Sequence, residues 1–417
     1  MNLACFTIVA KNYIGLAKIL EKSLKRHNPD VNFHIFVSDE TNENYCNQPN
    51  IHIGKQELGY NNCQWTEMSF KYDLTEFCTA IKPAAFQYLF DQGYDKVIYF
   101  DPDIYIFSSL NPIFEILDSY SVCLTPQIAG VHIDYEGELP EWAMNVNGIF
   151  NLGFCAMRKD KTTDILLKWW RKRLINDAFI DRSIGDFTDQ KWMDWVPGFI
   201  GSAELYVSHN LGMNLAPWNY FERKIIFQNG EYKVSFRNEK NMTAKQDKLI
   251  FVHFAGYDYA KLKVGFISRK RIGDLNEYKD IQLITNVYRD AIKANAILFD
   301  SYIKEPYTYA YFDNGKMIQS FHRRLYNGID KSKRPKNPFS TSKGSFYYIL
   351  KSKGMISAEN LDRFTQRNMP NMDKKRHLIA LLFKILYRLM GYRRYVLFVK
   401  SLYNYCRPEL HTFLINK

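Results

Sequence analysis

The chain has 417 residues, of which 46% are hydrophobic, so it can bury a sizeable core. Its formal net charge is +12, and residues 351–417 alone carry 14 Lys and Arg against 4 Asp and Glu, or +10. Such a nearly neutral body with a basic end argues against a nucleic-acid-binding protein. It indicates a tail that meets an anionic surface.

The cysteines and the N-terminal residues indicate in which cellular compartment the protein is expected. There are 7 cysteines, an odd number, and no two of them lie two or three residues apart, which argues against a disulfide framework and a zinc ribbon. Residues 1–12 lack the basic and then apolar pattern of a secretory signal. No apolar run reaches the roughly 18 residues of a membrane-spanning helix. We therefore expect a cytoplasmic protein.

The first 40 residues alternate between strand and helix. Residues 3–10 form a continuous apolar run typical of a buried parallel strand, residues 14–27 repeat apolar positions at the helical period, and residues 32–39 return to strand. A strand, a helix and a second strand predict a parallel sheet with a right-handed crossover.

The alternation continues to about residue 265. The pattern predicts helices over 80–93 and 163–177, and strands over 96–100, 104–107, 121–127, 148–158, 204–210 and 249–256. Beyond residue 265 the chain is mostly helical, and residues 331–345 have the composition of a linker. The predicted fold class is α/β, with a Rossmann-like, mixed and mainly parallel sheet flanked by helices and a helical C-terminal extension.

Asp101 and Asp103 follow directly after the predicted strand 96–100, with Pro102 between them. Ligands of open parallel sheets gather at the carboxyl ends of strands, and side chains two apart on an extended segment point the same way. Two such carboxylates suit Mg²⁺ or Mn²⁺, which can bridge the phosphates of a nucleotide. The alternative is a plain turn, because Asp-Pro-Asp is also turn chemistry.

The order of several motifs resembles a known family. "AKNY", "YFDPDIYIFSSL", "FNLGF", "DQKWMD" and "VHFAGY" follow one another over roughly residues 1–260. In this order and spacing they resemble GT-A glycosyltransferases, and most closely the retaining family-8-like enzymes of bacterial surface polysaccharide synthesis. The resemblance implies the GT-A fold and transfer of a sugar from a nucleotide-sugar donor, expected to be a UDP-sugar.

The resemblance also implies a set of metal ligands. The family's paired carboxylates hold Mn²⁺ against the donor diphosphate, which assigns that role to Asp101 and Asp103. Its third ligand is a histidine late in the fold, which His253 matches. Without the resemblance, His253 would be interpreted as a buried core histidine between two strand aromatics.

The remaining predicted site residues come from the resemblance as well. They comprise donor-binding positions (Ala10, Asn12, Tyr13, Lys82, Asn151 and Gly153) and two catalytic positions (Asp189 and Gln190). Lys11 stands where the family often has an acidic residue. Simpler alternatives stay open: Lys82 in water on a first helical turn, and Thr188 or Asp189 as a helix cap. Retention is implied by the resemblance only, since Asp189 or Asp194 could instead serve as the base of an inverting enzyme.

These expectations give a domain plan and a function. Residues 1–265 would form the catalytic domain, 266–345 an extension on the acceptor side, and 346–417 a basic amphipathic helical region. The function would be glycosyl transfer to a glycan or lipid-linked glycan in lipopolysaccharide, capsule or exopolysaccharide synthesis. The alternative is a non-catalytic scaffold of such an assembly system that keeps a vestigial nucleotide site.

Two further features concern partners. The aromatic loops 216–223 and 309–318 could bind the acceptor or simply pack. Residues 377–405 mix apolar side chains with Lys and Arg, as in a helix lying in a membrane interface, so we expect peripheral binding to the inner face of the cell membrane. The alternative is a helical hairpin packed on the body.

Overall fold

The computed structural model describes residues 2–39, 48–237, 246–269, 278–362 and 371–415. Within them we number the strands β1 to β14: Leu3–Val9, Asn32–Val37, Ile51–Ile53, Lys96–Phe100, Ile104–Ile106, Val122–Leu124, Phe154–Arg158, Ile180–Asp181, Asp186–Phe187, Leu205–Val207, Arg223–Gln228, Glu231–Phe236, Asp247–Lys248 and Phe251–His253. The helices are α1 to α16: Ile14–His27, Gly54–Glu57, Asn62–Lys71, Leu74–Ala80, Lys82–Asp91, Asn111–Ser119, Glu141–Asn147, Lys161–Leu174, Gln190–Met193, Val196–Phe199, Tyr259–Lys263, Ile281–Ala294, Ala296–Ile303, Ser320–Asn327, Phe346–Ser352 and Met372–Asn404.

The central sheet has seven strands in the order β10-β6-β7-β4-β1-β2-β3. Strands β4, β1, β2 and β3 run parallel, as do β10 and β6, whereas β7 is antiparallel to both of its neighbours. The apolar runs of β1 and β4 are buried along their lengths because helices cover the sheet. The predicted α/β class, a mixed and mainly parallel sheet flanked by helices with a helical C-terminal region, is confirmed.

The predicted strand 148–158 is shorter than expected, because only Phe154–Arg158 pairs with the sheet. Gly148 has a φ of +107°, and the side-chain oxygen of Asn151 accepts the N–H of Gly153. These local contacts turn the backbone before the strand begins. The segment is therefore a loop that delivers Asn151 and Gly153 to the end of β7.

The chain folds into two compact units. The first comprises Met1–Tyr60 and Thr75–Tyr307 and contains the central sheet, and the second comprises Asn61–Leu74 and Thr308–Lys417. The domain boundaries predicted after residues 265 and 345 stay predictions.

The second unit has its own aromatic core. Phe70 lies in this core with Phe312, Tyr326 and Phe346. The buried guanidinium of Arg323 donates to the carbonyl oxygens at the end of α3, namely those of Ser69, Phe70 and Tyr72, and to that of Tyr309. The predicted acceptor loop 309–318 thus contributes Tyr309 and Phe312 to packing within this unit.

Candidate active site

The Asp101-Pro102-Asp103 segment is a tight turn between β4 and β5. The N–H of Asp101 donates to the carbonyl of Gly153 at 2.8 Å, and the N–H of Ile104 donates back to the carbonyl of Asp101 at 3.0 Å. The turn interpretation and the metal-site interpretation are compatible, because the turn itself presents both carboxylates at the carboxyl end of β4.

His253 completes a cluster with the two carboxylates. It lies on β14, which pairs antiparallel with β5, and its side chain is buried. Its Nε2 atom lies 3.0 Å from Oδ1 of Asp103 and 3.7 Å from Oδ2 of Asp101. One ligand atom from each residue falls within 4.8 Å of the others. Two carboxylate oxygens and an imidazole nitrogen in this arrangement fit a divalent cation.

The two carboxylates of the cluster face a single imidazole, and the pKa values of His253 and Asp101 both shift. Burial lowers the pKa of the His253 imidazole, but the carboxylates of Asp103 and Asp101 oppose burial and leave the pKa above its ordinary value. Burial raises the pKa of Asp101, against the pull of Lys82 and His253. Positive charge is thus favoured between the two carboxylates, which is what a metal site requires.

Asn151 orients the histidine. Its Oδ1 atom lies 3.2 Å from Nδ1 of His253 and also accepts the N–H of Gly153 and the amide of Asn214. An acceptor at Nδ1 holds a proton there and leaves Nε2, the nitrogen nearest the carboxylates, as the atom that would ligate a metal. Asn151 therefore contacts the cluster from its outer side.

Gly153 permits a close approach of two chain segments. A Cβ atom at this position would lie 2.4 Å from Cε1 and 2.6 Å from Nδ1 of His253. No larger side chain fits without displacing the imidazole. The group that approaches Gly153 closely in the structure is the imidazole of His253.

Lys82 and Asp189 form a buried ion pair. Both side chains are almost fully buried, and Nζ of Lys82 lies 2.5 Å from Oδ2 of Asp189 and 2.8 Å from the carbonyl oxygen of Leu152. The ammonium also lies 4.0 Å from the ring centroid of Tyr99. Burial raises the pKa of Asp189, and the Lys82 charge opposes that rise. The alternative that placed Lys82 in water is wrong.

Asp189 precedes α9 but does not cap it, because its side chain makes no capping hydrogen bond. The neighbouring Gln190 is also buried and uses both ends of its amide within the protein. Its Oε1 accepts from the Leu152 N–H and the Asn151 amide, and its Nε2 donates to the carbonyl oxygen of Asn147. Gln190 thus fastens the 147–152 loop beside the cluster.

The predicted nucleotide-binding residues follow β1. Ala10 is buried, and Asn12 and Tyr13 lie in a 3₁₀ turn. Burial and the negative charge of Asp103 raise the pKa of Tyr13, which places that phenol within electrostatic reach of the cluster. The Oδ1 atom of Asn12 is buried and has no hydrogen-bond partner. This orphaned acceptor would suit a donor group of a ligand.

Two groups of the site were not predicted from the sequence. The hydroxyl of Tyr99 donates to Oδ1 of Asp101 at 2.5 Å, a contact that the i, i+2 spacing on one strand face could have indicated. Trp218 lies in the aromatic loop 216–223, and its ring contacts that of His253 edge to face at 5.2 Å. Nothing in the sequence pattern distinguishes Trp218 from a packing residue.

No known protein-family profile matches the chain. Among curated proteins, the uncharacterized protein YfnF of Bacillus subtilis (strain 168) is 24% identical over 295 residues, which cover 68% of this chain and 87% of that protein.

Solved structures with a similar fold are glycosyltransferases. The galactosyltransferase LgtC, in complex with donor and acceptor sugar analogues, is 16% identical with a TM-score of 0.40, covering 73% of this chain and 98% of LgtC. Mouse xyloside xylosyltransferase 1 is 12% identical with a TM-score of 0.34, covering 52% of this chain and 88% of that enzyme. At these TM-scores the alignments transfer no residue role.

Proposed function

We propose that this chain is a metal-dependent glycosyltransferase that moves a sugar from a nucleotide-sugar donor to a glycan or lipid-linked glycan. The observation that carries this proposal is the convergence of Asp101, Asp103 and His253 at the carboxyl end of β4. That edge of an α/β sheet is where ligands gather, and the three ligand atoms suit Mn²⁺ or Mg²⁺.

The surrounding residues support the ligands. A divalent cation bound by the cluster would neutralise negative charge on the diphosphate leaving group of the donor. Tyr99 donates to Asp101 and Asn151 faces Nδ1 of His253, so two of the three ligands have a fixed orientation before any ligand binds. Mutating a residue that holds a metal ligand in place typically lowers metal affinity by about 10- to 100-fold.

The Lys82–Asp189 pair supports a role near the transferred sugar. Burial raises the pKa of Asp189, and the Lys82 ammonium opposes that rise and so favours the ionised carboxylate. An ionised carboxylate can stabilise the positive charge that develops at an anomeric carbon. We therefore keep Asp189 as the catalytic carboxylate and Gln190 as the residue that holds the adjoining loop.

Retention of anomeric configuration is favoured because both carboxylates that could serve as the base of an inverting enzyme are engaged. Asp189 pairs with Lys82, and Asp194 makes two contacts. One of its oxygens accepts the N–H of Ile149 and the other pairs with Lys191, both at 2.8–2.9 Å. A carboxylate engaged at both oxygens is poorly placed to take a proton from an acceptor hydroxyl. The donor is proposed to be a UDP-sugar, and the product a cell-surface polysaccharide.

The C-terminal helix α16 supports peripheral membrane binding. None of the described helices is long and apolar enough to cross a membrane. In α16, however, no described side chain is buried, and large apolar residues such as Leu378, Leu389 and Tyr392 are more than half exposed. Basic residues lie among them: Lys374, Lys375, Arg376, Lys384, Arg388, Arg393, Arg394 and Lys400. Exposed apolar and basic side chains together suit an anionic bilayer surface.

The backbone of α16 is broken at Gly391, where φ is +71°. Tyr387 and Tyr395, on either side of the break, have ring centroids 5.4 Å apart. The two arms thus contact each other near the break, while most of their surface stays exposed. We propose that this hairpin lies on the cytoplasmic face of the membrane.

A thermal-shift screen of nucleotides and nucleotide-sugars, with and without Mn²⁺, tests the proposed activity. UDP and UDP-sugars should stabilise the protein only with the metal, and Asp103→Asn should remove that stabilisation and sugar transfer. The matched control is Asp164→Asn, because Asp164 is an exposed carboxylate on α8 paired with Lys168. Metal-dependent binding without any turnover would favour the scaffold function, and no metal-dependent binding would refute the site.

Sedimentation with vesicles tests the proposed membrane contact. Replacing Arg393 and Arg394 together by Ser should weaken binding to anionic vesicles by about 2 kcal/mol, at about 1 kcal/mol per charge. The matched control replaces Lys331 and Lys333, an exposed basic pair in a 3₁₀ turn, by Ser. Equal binding of both variants would exclude α16 as the contact.

A further inference from the structure

Two buried polar atoms beside the cluster have no hydrogen-bond partner. They are the amide oxygen of Asn214 and the indole nitrogen of Trp218. Both residues are at least nine-tenths buried, with relative exposures of 1% and 8%. Buried polar groups are nearly always bonded in folded proteins, so each unpaired one requires an explanation.

Each of these residues contacts a residue of the candidate metal site. The amide nitrogen of Asn214 donates to Oδ1 of Asn151 at 3.2 Å and to the hydroxyl of Thr125 at 2.9 Å, which fixes which end of the amide is the oxygen. The ring of Trp218 contacts that of His253 at 5.2 Å. Asn214 thus contacts one partner of the Asn151–His253 pair, and Trp218 contacts the other.

The backbone at Asn214 shows that the position is constrained. Its φ is +57°, in the left-handed region that few residues other than glycine adopt. Asn tolerates that region better than most residues, and the conformation costs about 1 kcal/mol or more that the surrounding bonds must offset. The structure thus maintains both a strained backbone and an unpaired oxygen next to the cluster.

The chemistry of the two atoms complements that of a sugar. The Asn214 oxygen accepts a hydrogen bond and the Trp218 indole donates one. A sugar hydroxyl can do both, so neighbouring hydroxyls of a pyranose would satisfy the pair. A free phosphate would leave the Asn214 oxygen facing a second acceptor.

We propose that Asn214 and Trp218 form a subsite for hydroxyl groups of a pyranose sugar beside the Asp101–Asp103–His253 cluster. The proposal rests on the glycosyltransferase function proposed above and adds specificity-determining residues to it. The sugar is either that of the donor or that of the acceptor, since both bring hydroxyls to this place.

Trp218→Phe tests the subsite, because it removes the N–H and keeps an aromatic ring. The donor arm compares UDP with UDP-glucose and UDP-galactose in the presence of Mn²⁺, by isothermal titration calorimetry. The acceptor arm titrates glucose, galactose and lactose into the protein saturated with UDP and Mn²⁺. Loss of one hydrogen bond should weaken binding about threefold to tenfold in one arm, while UDP itself binds unchanged.

Trp65→Phe is the matched control. Trp65 is also buried, but its indole nitrogen donates to the hydroxyl of Tyr309 at 2.8 Å. This variant should lower the unfolding midpoint and leave both titrations unchanged. Trp218→Phe should show the opposite pattern, because it breaks no hydrogen bond within the protein.

The outcomes separate the two proposals. If wild-type protein binds UDP with Mn²⁺ and Trp218→Phe matches it in both arms, the subsite is refuted and the proposed function stands. If wild-type protein fails to bind UDP with Mn²⁺, both proposals are refuted. Weaker sugar binding in one arm supports the subsite and shows whether the donor or the acceptor occupies it.

Discussion

Gly153→Ala should disable metal binding by displacing the His253 ring, with a smaller clash against the Asn151 oxygen that contacts it. The φ of Gly153 lies outside the left-handed region, so alanine strains no backbone angle and the effect is purely steric. The new Cβ would lie 2.4 Å from Cε1 of His253, where carbon atoms normally stay about 3.5 Å apart or more. The imidazole must therefore move by about 1 Å.

A displacement of that size exceeds what metal coordination tolerates, since ligand distances hold to about 0.2 Å. We expect at least a tenfold loss of Mn²⁺ affinity, measured by calorimetry, and a loss of about 1–3 kcal/mol in the free energy of unfolding, measured with urea. Gly198→Ala is the control, because nothing lies within 4 Å of its added Cβ. Wild-type Mn²⁺ affinity in Gly153→Ala would refute His253 as a ligand.

Three further predictions concern stability, and urea unfolding measures each. Lys82→Met should cost about 3–5 kcal/mol because it strands the buried Asp189 carboxylate, and adding Asp189→Leu should restore most of that loss; additive losses would contradict the pairing. Arg323→Met should cost about 3 kcal/mol by leaving main-chain carbonyls unpaired in the second unit, and a loss below 1 kcal/mol, roughly, would count against those bonds. Burial and the neighbouring His52 lower the pKa of His34 to about 4, with Glu57 opposing and Lys25 adding to the shift. The unfolded imidazole takes its proton near 6.5 and the folded one only near 4, so stability should fall by about 3 kcal/mol as pH drops across that window. His34→Gln should flatten the fall, and an unchanged slope would exclude His34 as its cause.

The sequence predicted the sheet because its signals are local. The apolar runs of β1 and β4 and the period of α1 need no tertiary information, since burial on both faces leaves a continuous hydrophobic pattern. The strand predicted over 148–158 is shorter in the structure because a side chain bends the backbone there. The hydrogen bond from the Gly153 N–H to the Asn151 side chain leaves no repeating pattern in the sequence from which it could be predicted.

The candidate site could be predicted only in part, for a similar reason. Asp101 and Asp103 are neighbours in sequence, so the sequence could place both after the strand, although a turn rather than an extended segment presents them. His253 lies 150 positions later, and only the order of motifs suggested it. The bond between Lys82 and Asp189 spans 107 positions, and burial rather than residue type decides that Lys82 leaves water. Such long-range pairings depend on the completed fold.

The oxygen Oδ1 of Asn151 shows what this dependence means for assembly. One atom joins the main chain at Gly153, the amide of Asn214 and the ring of His253, so three distant stretches of the polypeptide meet at a single point. A nascent chain that has emerged only as far as β7 has Asp101 and Asp103 but not His253. Cation capture would therefore require that synthesis has passed β14 and that these three stretches have come together.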